Sequence, residues 1–253
     1  MSRKMPLATN HEQLDSLLHY LKLSTIQERY QSLAKDAATN GWTCLDYLEN
    51  LVREEAAQRQ QRVQERRIRQ AHITTVKTLE QFNWQWPKAI NEMHVKQLFR
   101  LQFIKDRANV IFLGGVGLGK THLATALAYQ ACLNNYTALF ITAVELINNL
   151  TAAHKAGRLK IEIRRYVNPH VLILDELGYL PIDKKGADLL FQVISKRYEN
   201  GATVITSNRA YKDWAEIFNN DATLTSAILD RLLHHAETIV IDGNSYRMKD
   251  RKD

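Results

Sequence analysis

The sequence predicts an α/β protein: a three-layer sandwich on a parallel five-stranded sheet, preceded by a small all-α N-terminal domain. From Asn109 onward, short apolar runs alternate with helical stretches, and a glycine-rich turn joins the first run to the helix after it. Before about Ala71 the chain shows only helical periodicity. With 253 residues and 45% hydrophobic content it can bury one sizeable core and a smaller one.

From His11 to about Ala71, apolar residues recur at Leu14, Leu17, Leu18 and Leu21, then at Ile26, Tyr30, Leu33 and Ala37, which suits three helices. Thr25 and Glu28 have capping-box spacing at the start of the second helix, and Gly41 is placed to stop it before Thr43 opens the third. Residues 72–88, with Phe82, Trp84, Trp86 and Pro87, break the helical period and read as a linker. The expected division is therefore 1–71, a linker over 72–88, and a second domain over 89–253. Its strands are expected at 109–113, 137–142, 170–175, 202–207 and 238–242. Most lack interior polar residues, as strands covered on both faces do.

The turn after the first strand, GGVGLGKT, fits G-x-x-x-x-G-K-[ST] between a strand and a helix. Glycines let backbone N–H groups turn inward around phosphates, and the following helix adds its positive end. Gly114, Gly115, Val116, Gly117, Leu118, Gly119, Lys120, Thr121 and His122 form the candidate nucleotide loop. Lys120 is expected at the β and γ phosphates, and Thr121 at Mg²⁺. The third strand delivers Asp175 and Glu176 to the carboxyl edge of the sheet. Asp175 suits a hold on Mg²⁺ through water, and Glu176 is placed to orient and deprotonate an attacking water. Asn208, after the fourth strand, could fix that water, although an asparagine there is also an ordinary turn residue. Arg231 and Arg247 are candidates to neutralise charge on the transferring phosphoryl group; either could equally be a surface arginine.

Together GGVGLGKTHLA, LILDELGYLP, RYENGATVITSN and AILDRLLHHAETIVIDGNSYR resemble the IstB family, AAA+ helper ATPases of bacterial insertion sequences, and more distantly DnaC-type helicase loaders. The resemblance covers about Phe82 to Lys249. It implies that Lys120 and Thr121 are the Walker A pair, Asp175 and Glu176 the Walker B pair, and Asn208 sensor 1. Arg231 becomes the arginine finger acting on the next subunit, and Arg247 sensor 2. It further implies ATP and Mg²⁺ as cofactors, a homo-oligomer on duplex DNA, and a partner transposase (IstA-like) that is stimulated. About a dozen residues follow the last expected strand, so the usual helical lid is expected to be short or missing and a neighbouring copy to complete the site.

The net charge of +7 and a pI near 9.3 favour a polyanionic partner, although a merely soluble basic surface has the same balance. Arg59, Arg62, Arg66 and Arg69 share one helical face with Arg67 beside it; the alternative is a solvated charged helix. Lys155, Arg158, Lys160, Arg164 and Arg165 lie between the second and third strands, where the resemblance implies extra helices facing DNA. Neither group is interleaved with aromatics for stacking on bases, so contact with the backbone of duplex, largely independent of sequence, is expected. Phe82, Trp84 and Trp86 either border the adenine or pack the linker on the domain. Cys44 and Cys132 lack metal-site or redox spacing and read as buried apolar residues; His234 and His235 read as structural. With no apolar leader and no apolar run long enough to span a membrane, the expected location is cytoplasmic, at the nucleoid when bound to DNA.

Overall fold

The computed structural model describes residues 11–246. They fall into two compact units, divided between Glu65 and Arg66.

The first unit holds α1 (His11–Tyr20), α2 (Ser24–Asn40) and most of α3 (Cys44–Gln70) around a small core of Leu18, Tyr30, Leu33 and Leu51. Gly41 ends α2 with a left-handed φ of 65°. At the start of α3, Thr43 and Asp46 cap each other: Thr43 N donates to Asp46 Oδ2 at 2.9 Å and Asp46 N to Thr43 Oγ1 at 3.1 Å.

The capping box expected from Thr25 and Glu28 does not form. Helix α2 starts two residues earlier, with Leu23 rather than Thr25 at its cap position and no side-chain cap bond. Instead Glu55, from α3, accepts from Thr25 N at 2.8 Å and Ile26 N at 3.2 Å. A buried carboxylate at a helix's positive end outcompetes a local hydroxyl, because charge-assisted bonds are stronger away from water. The cysteine reading also needs correction: Cys132 is buried, but Cys44 opens α3 and is exposed. The first turn of α3 packs nothing over it.

In the second unit, α4 (Glu92–Leu98) and α5 (Gln102–Lys105) lead into β1 (Asn109–Gly114) and α6 (Lys120–Leu133). Then come β2 (Ala138–Thr142), α7 (Ala143–Lys155), α8 (Leu159–Val167), β3 (Val171–Leu177) and α9 (Lys184–Arg197). The unit ends with β4 (Ala202–Ser207), α10 (Trp214–Ile217), α11 (Ala222–Leu233) and β5 (Ala236–Ile241). All five strands are parallel, in the order β2-β3-β4-β1-β5.

Strand residues alternate between two cores, as the two-residue period of a strand requires. Val110, Phe112, Ile173 and Val204 face α6 and the segment before β1, whereas Ile111, Leu113, Leu172, Leu174 and Ile205 face α7 to α11. This is the three-layer sandwich expected: β2 to β3 and β3 to β4 join neighbours, whereas β1 to β2 passes over β4 and β3, and β4 to β5 passes over β1. Among the described residues no α-helix follows β5, and no helix is long and apolar enough to cross a membrane.

Candidate functional site

A parallel sheet gathers its functional loops at the carboxyl ends of its strands. Here β1 runs into the glycine loop, β3 into the acidic pair, and β4, lying between them, into Asn208. Left-handed backbone is needed at Gly117 (φ 76°) and Gly119 (φ 88°), which caps α6. At Gly114 the reason is close approach: a Cβ would stand 2.2 Å from the Ile241 carbonyl oxygen on β5. Lys120 Nζ folds back over the loop and donates to the carbonyls of Gly114 (2.8 Å) and Gly115 (2.7 Å).

Thr121 and Asp175 meet directly, with Thr121 Oγ1 donating to Asp175 Oδ1 at 3.0 Å and Oδ2 at 3.2 Å. Asp175 is buried, yet its carboxylate looks onto the loop. A hydroxyl and a carboxylate at the mouth of a phosphate loop form the oxygen donor set that Mg²⁺ prefers, so the residues fit that ion. Glu176 differs from its neighbour: it is exposed, and its carboxylate makes no hydrogen bond among the described residues. It also lies inside β3, which runs two residues beyond the expected end at 175.

A cavity of about 530 Å³ opens over the loop, within the usual range for a small-molecule site. Residues 72–88 form much of its wall, with Ile73, Lys77, Phe82 and Trp86 facing Gly117, Lys120 and Asp175. This segment carries no helix or strand and is tied to the loop through His122, whose Nε2 bonds the Thr78 carbonyl at 2.8 Å. Phe82 packs edge-on to His122 and also occupies the space where Gly119 lacks a side chain. Phe82 and Trp84 pack against each other, and Phe82 and Trp86 also line the cavity. After β5, Tyr246 N donates to Gly117 O at 3.0 Å, and its ring meets Trp86.

The remaining candidates are more scattered. Asn208 sits exposed one residue past β4, at the same sheet edge. Arg231 does not line the cavity; its guanidinium lies 4.8 Å from the centre of the Phe191 ring and donates to the Ala227 carbonyl at 3.0 Å. Arg247 lies outside the described residues. His234 and His235 are exposed rather than packed inside, and His234 Nδ1 is 3.0 Å from the Tyr198 hydroxyl.

Among the five candidate arginines of α3, three are already engaged. Arg59 donates to the Lys22 carbonyl at 3.0 Å, Arg62 to Ser24 Oγ at 2.6 Å, and Arg67 to Asn135 Oδ1 at 2.5 Å. Arg59 and Arg62 therefore secure the turn before α2, which the face-by-face reading of the helix did not foresee. Arg66 and Arg69 are exposed with no ion pair among the described residues. In the second basic group, Lys155 ends α7, Arg158 precedes α8, and Lys160, Arg164 and Arg165 lie on α8; all five are exposed. Arg165 pairs with Glu162 at 3.3 Å.

Sequence reasoning missed Thr206, whose hydroxyl donates to Asp175 Oδ1 at 2.5 Å and accepts from Glu176 N at 2.9 Å. Its signal was present in the TSN that ends β4, read only for its asparagine.

A model of IstB-like ATP-binding proteins matches residues 16–253. A Pseudomonas aeruginosa relative, named for ATP binding in insertion sequence IS21, is 40% identical over 242 residues, 96% of this chain and 91% of that one. Another, from Geobacillus stearothermophilus and insertion sequence IS5376, is 36% identical and covers 95% of this chain and 96% of its own. Among solved structures, the DnaC helicase loader aligns with a TM-score of 0.53 at 24% identity, covering 65% of this chain and 96% of that chain. AMPPCP-bound DnaA from Aquifex aeolicus gives 0.55 at 20% identity, over 70% of this chain and 54% of that chain. Those two likenesses show a shared α/β fold and no more. With the phosphate loop, the acidic strand and a family match running through both units, the chain belongs to the IstB-like ATP-binding protein family.

Proposed function

We propose that this protein is an ATPase that assembles on duplex DNA, remodels it and stimulates the transposase of an insertion sequence. The observation that carries the ATPase reading is the meeting of Thr121 with Asp175 at 3.0 Å, one residue from Glu176, whose carboxylate makes no hydrogen bond among the described residues. Lys120 would release the Gly114 and Gly115 carbonyls to hold the β and γ phosphates. Thr121 and Asp175 would hold Mg²⁺, which when bound neutralises charge on those phosphates. Glu176 accepts a proton from water, and Asn208 orients that water. A carboxylate exposed to water beside the phosphate loop favours hydrolysis over transfer to a small molecule.

Arg231 is assigned to the next subunit's nucleotide. In support, its guanidinium points at Phe191 and lines no part of its own copy's cavity. Arg247 is assigned to sensor 2 on resemblance alone. The helical segment 1–71 and the α7–α8 basic group are assigned to duplex DNA and assembly, with residues 89–253 as the ATPase domain. Lys155, Arg158, Lys160 and Arg164 suit phosphate contact because they are exposed and make no side-chain bond among the described residues. A replicative helicase loader is the weaker reading: the likeness to that class spans 65% of this chain, whereas the insertion-sequence relatives run through nearly all of it. We assign the protein to the cytoplasm, at the nucleoid when bound to DNA.

The test is particle sizing of Glu176→Gln protein on duplex DNA, with ATP and without. Larger DNA-bound assemblies with ATP are expected. Equal sizes in both conditions would remove nucleotide-driven assembly. Arg231→Ala is expected to lower turnover on the order of 10³-fold while leaving ATP binding intact.

A further inference from the structure

Strands β3 and β4 stay in register up to Leu174 and Ile205, and pair again at Leu177 and Ser207. Between these pairs β3 carries Asp175 and Glu176, whereas β4 carries only Thr206. The mismatch is a β-bulge, and its extra residue is the second acid. Glu176 adopts a φ of 59°, a conformation that strains a residue with a side chain, and the bulge takes its N–H out of the ladder.

Thr206 answers both demands with one hydroxyl. It accepts the stranded Glu176 N–H at 2.9 Å and donates to Asp175 Oδ1 at 2.5 Å, roles that a hydroxyl can fill together. The residue is buried, 1% exposed, and does not line the cavity. Its neighbours Val204 and Ile205 fill the two cores, a task valine could do equally well at 206 if packing were all that mattered. Ser207 closes the far end of the bulge, donating to the Leu177 carbonyl at 2.6 Å, so that β4 clamps the strained turn before releasing Asn208.

We propose that Thr206 is a positioning residue for ATP hydrolysis: its hydroxyl aims Asp175 at Thr121 and the metal, and holds the bulge that turns Glu176 outward to water. It acts through the two acids and touches no substrate itself. The assignment rests on the proposed ATPase activity.

The experiment compares wild type with Thr206→Val, which keeps the shape without the hydroxyl, and Thr206→Ser, which keeps the hydroxyl. Turnover is measured alongside affinity for a fluorescent ATP analogue titrated with and without Mg²⁺. For T206V we expect turnover to fall by about 10- to 100-fold, as when a metal ligand's orienting partner is removed. Affinity without Mg²⁺ should stay within roughly twofold, and the gain on adding Mg²⁺ should shrink at least several-fold, because only the metal-bound state uses the aimed Asp175. T206S should restore both. If T206V does not fold, T206A replaces it with the same expectations. Wild-type turnover with an unaffected T206V, or a T206S as impaired as T206V, overturns the assignment while leaving the ATPase intact. No turnover in wild type overturns both.

Discussion

Two cations sit at opposite ends of the same sheet, and each donates to backbone carbonyls. At the amino-terminal end of the strands, Arg197 is buried, and burial draws its pKa down to about 10, so it remains charged at neutral pH. Its guanidinium donates to the carbonyls of Tyr166 (2.9 Å), Val167 (3.0 Å), Pro169 (3.0 Å) and His170 (3.3 Å). It also reaches the Ala202 carbonyl and the Thr203 hydroxyl, closing the turns into β3 and β4. At the carboxyl end, Lys120 holds the Gly114 and Gly115 carbonyls on a half-open loop. A planar guanidinium with many fixed donors suits a permanent cage, whereas an ammonium on a flexible stem can exchange carbonyls for phosphates. The same bond type is sealed from water at one edge and open to it at the other, which on the proposed reading separates a folding role from a functional one.

That contrast can be broken most directly at Arg197. Arg197→Ala should destabilise the protein by about 3–5 kcal/mol, since it leaves several buried carbonyls unpaired; urea unfolding measures it. An effect below about 1 kcal/mol would mean the cage is ornamental. Next in size, Gly114→Ala drives a Cβ into the Ile241 carbonyl and should cost about 2–3 kcal/mol, together with ATP affinity. Lys120→Ala should instead leave unfolding within about 0.5 kcal/mol and weaken ATP binding by about 10- to 100-fold, the worth of a charged hydrogen bond. If Lys120→Ala destabilises the fold as Arg197→Ala does, the two cations are not distinct in kind.

The smallest effects concern the first unit and sharpen how its α2 is capped. Glu55→Ala should lower stability by about 1–2 kcal/mol because it uncaps Thr25 and Ile26. Glu28→Ala, at the capping position that spacing alone suggested, should change it by less than about 0.5 kcal/mol. Thermal melts of the two variants side by side decide between a local and a long-range cap.

Much of the site was legible because its signals are local. The phosphate loop is a contiguous run whose glycines are needed for backbone turns, and HVLILDE announces a buried strand ending in acids without help from any distant residue. The strands were found from continuous apolar runs, a direct result of being covered on both faces. What escaped was pairing across the chain. Residues 72–88 read as a linker by composition but wall the cavity, because Phe82 and His122 fold the segment onto the loop. Arg59 and Arg62 read as a free basic face, yet each finds a backbone or hydroxyl acceptor beside α2.

The sequence by itself determined the parallel sheet, the phosphate loop and the identity of the acidic pair, since each is written in neighbouring residues and in periodicities of two or nearly four. Only the tertiary structure decided that Thr206 lies opposite a bulge, that Glu55 caps a helix thirty positions away, and that Arg197 rather than Lys120 is sealed from water. Those choices depend on which strands become neighbours and what is buried between them. A hydroxyl or a charge acquires its role from the partner that packing presents to it, and sequence spacing does not encode that partner.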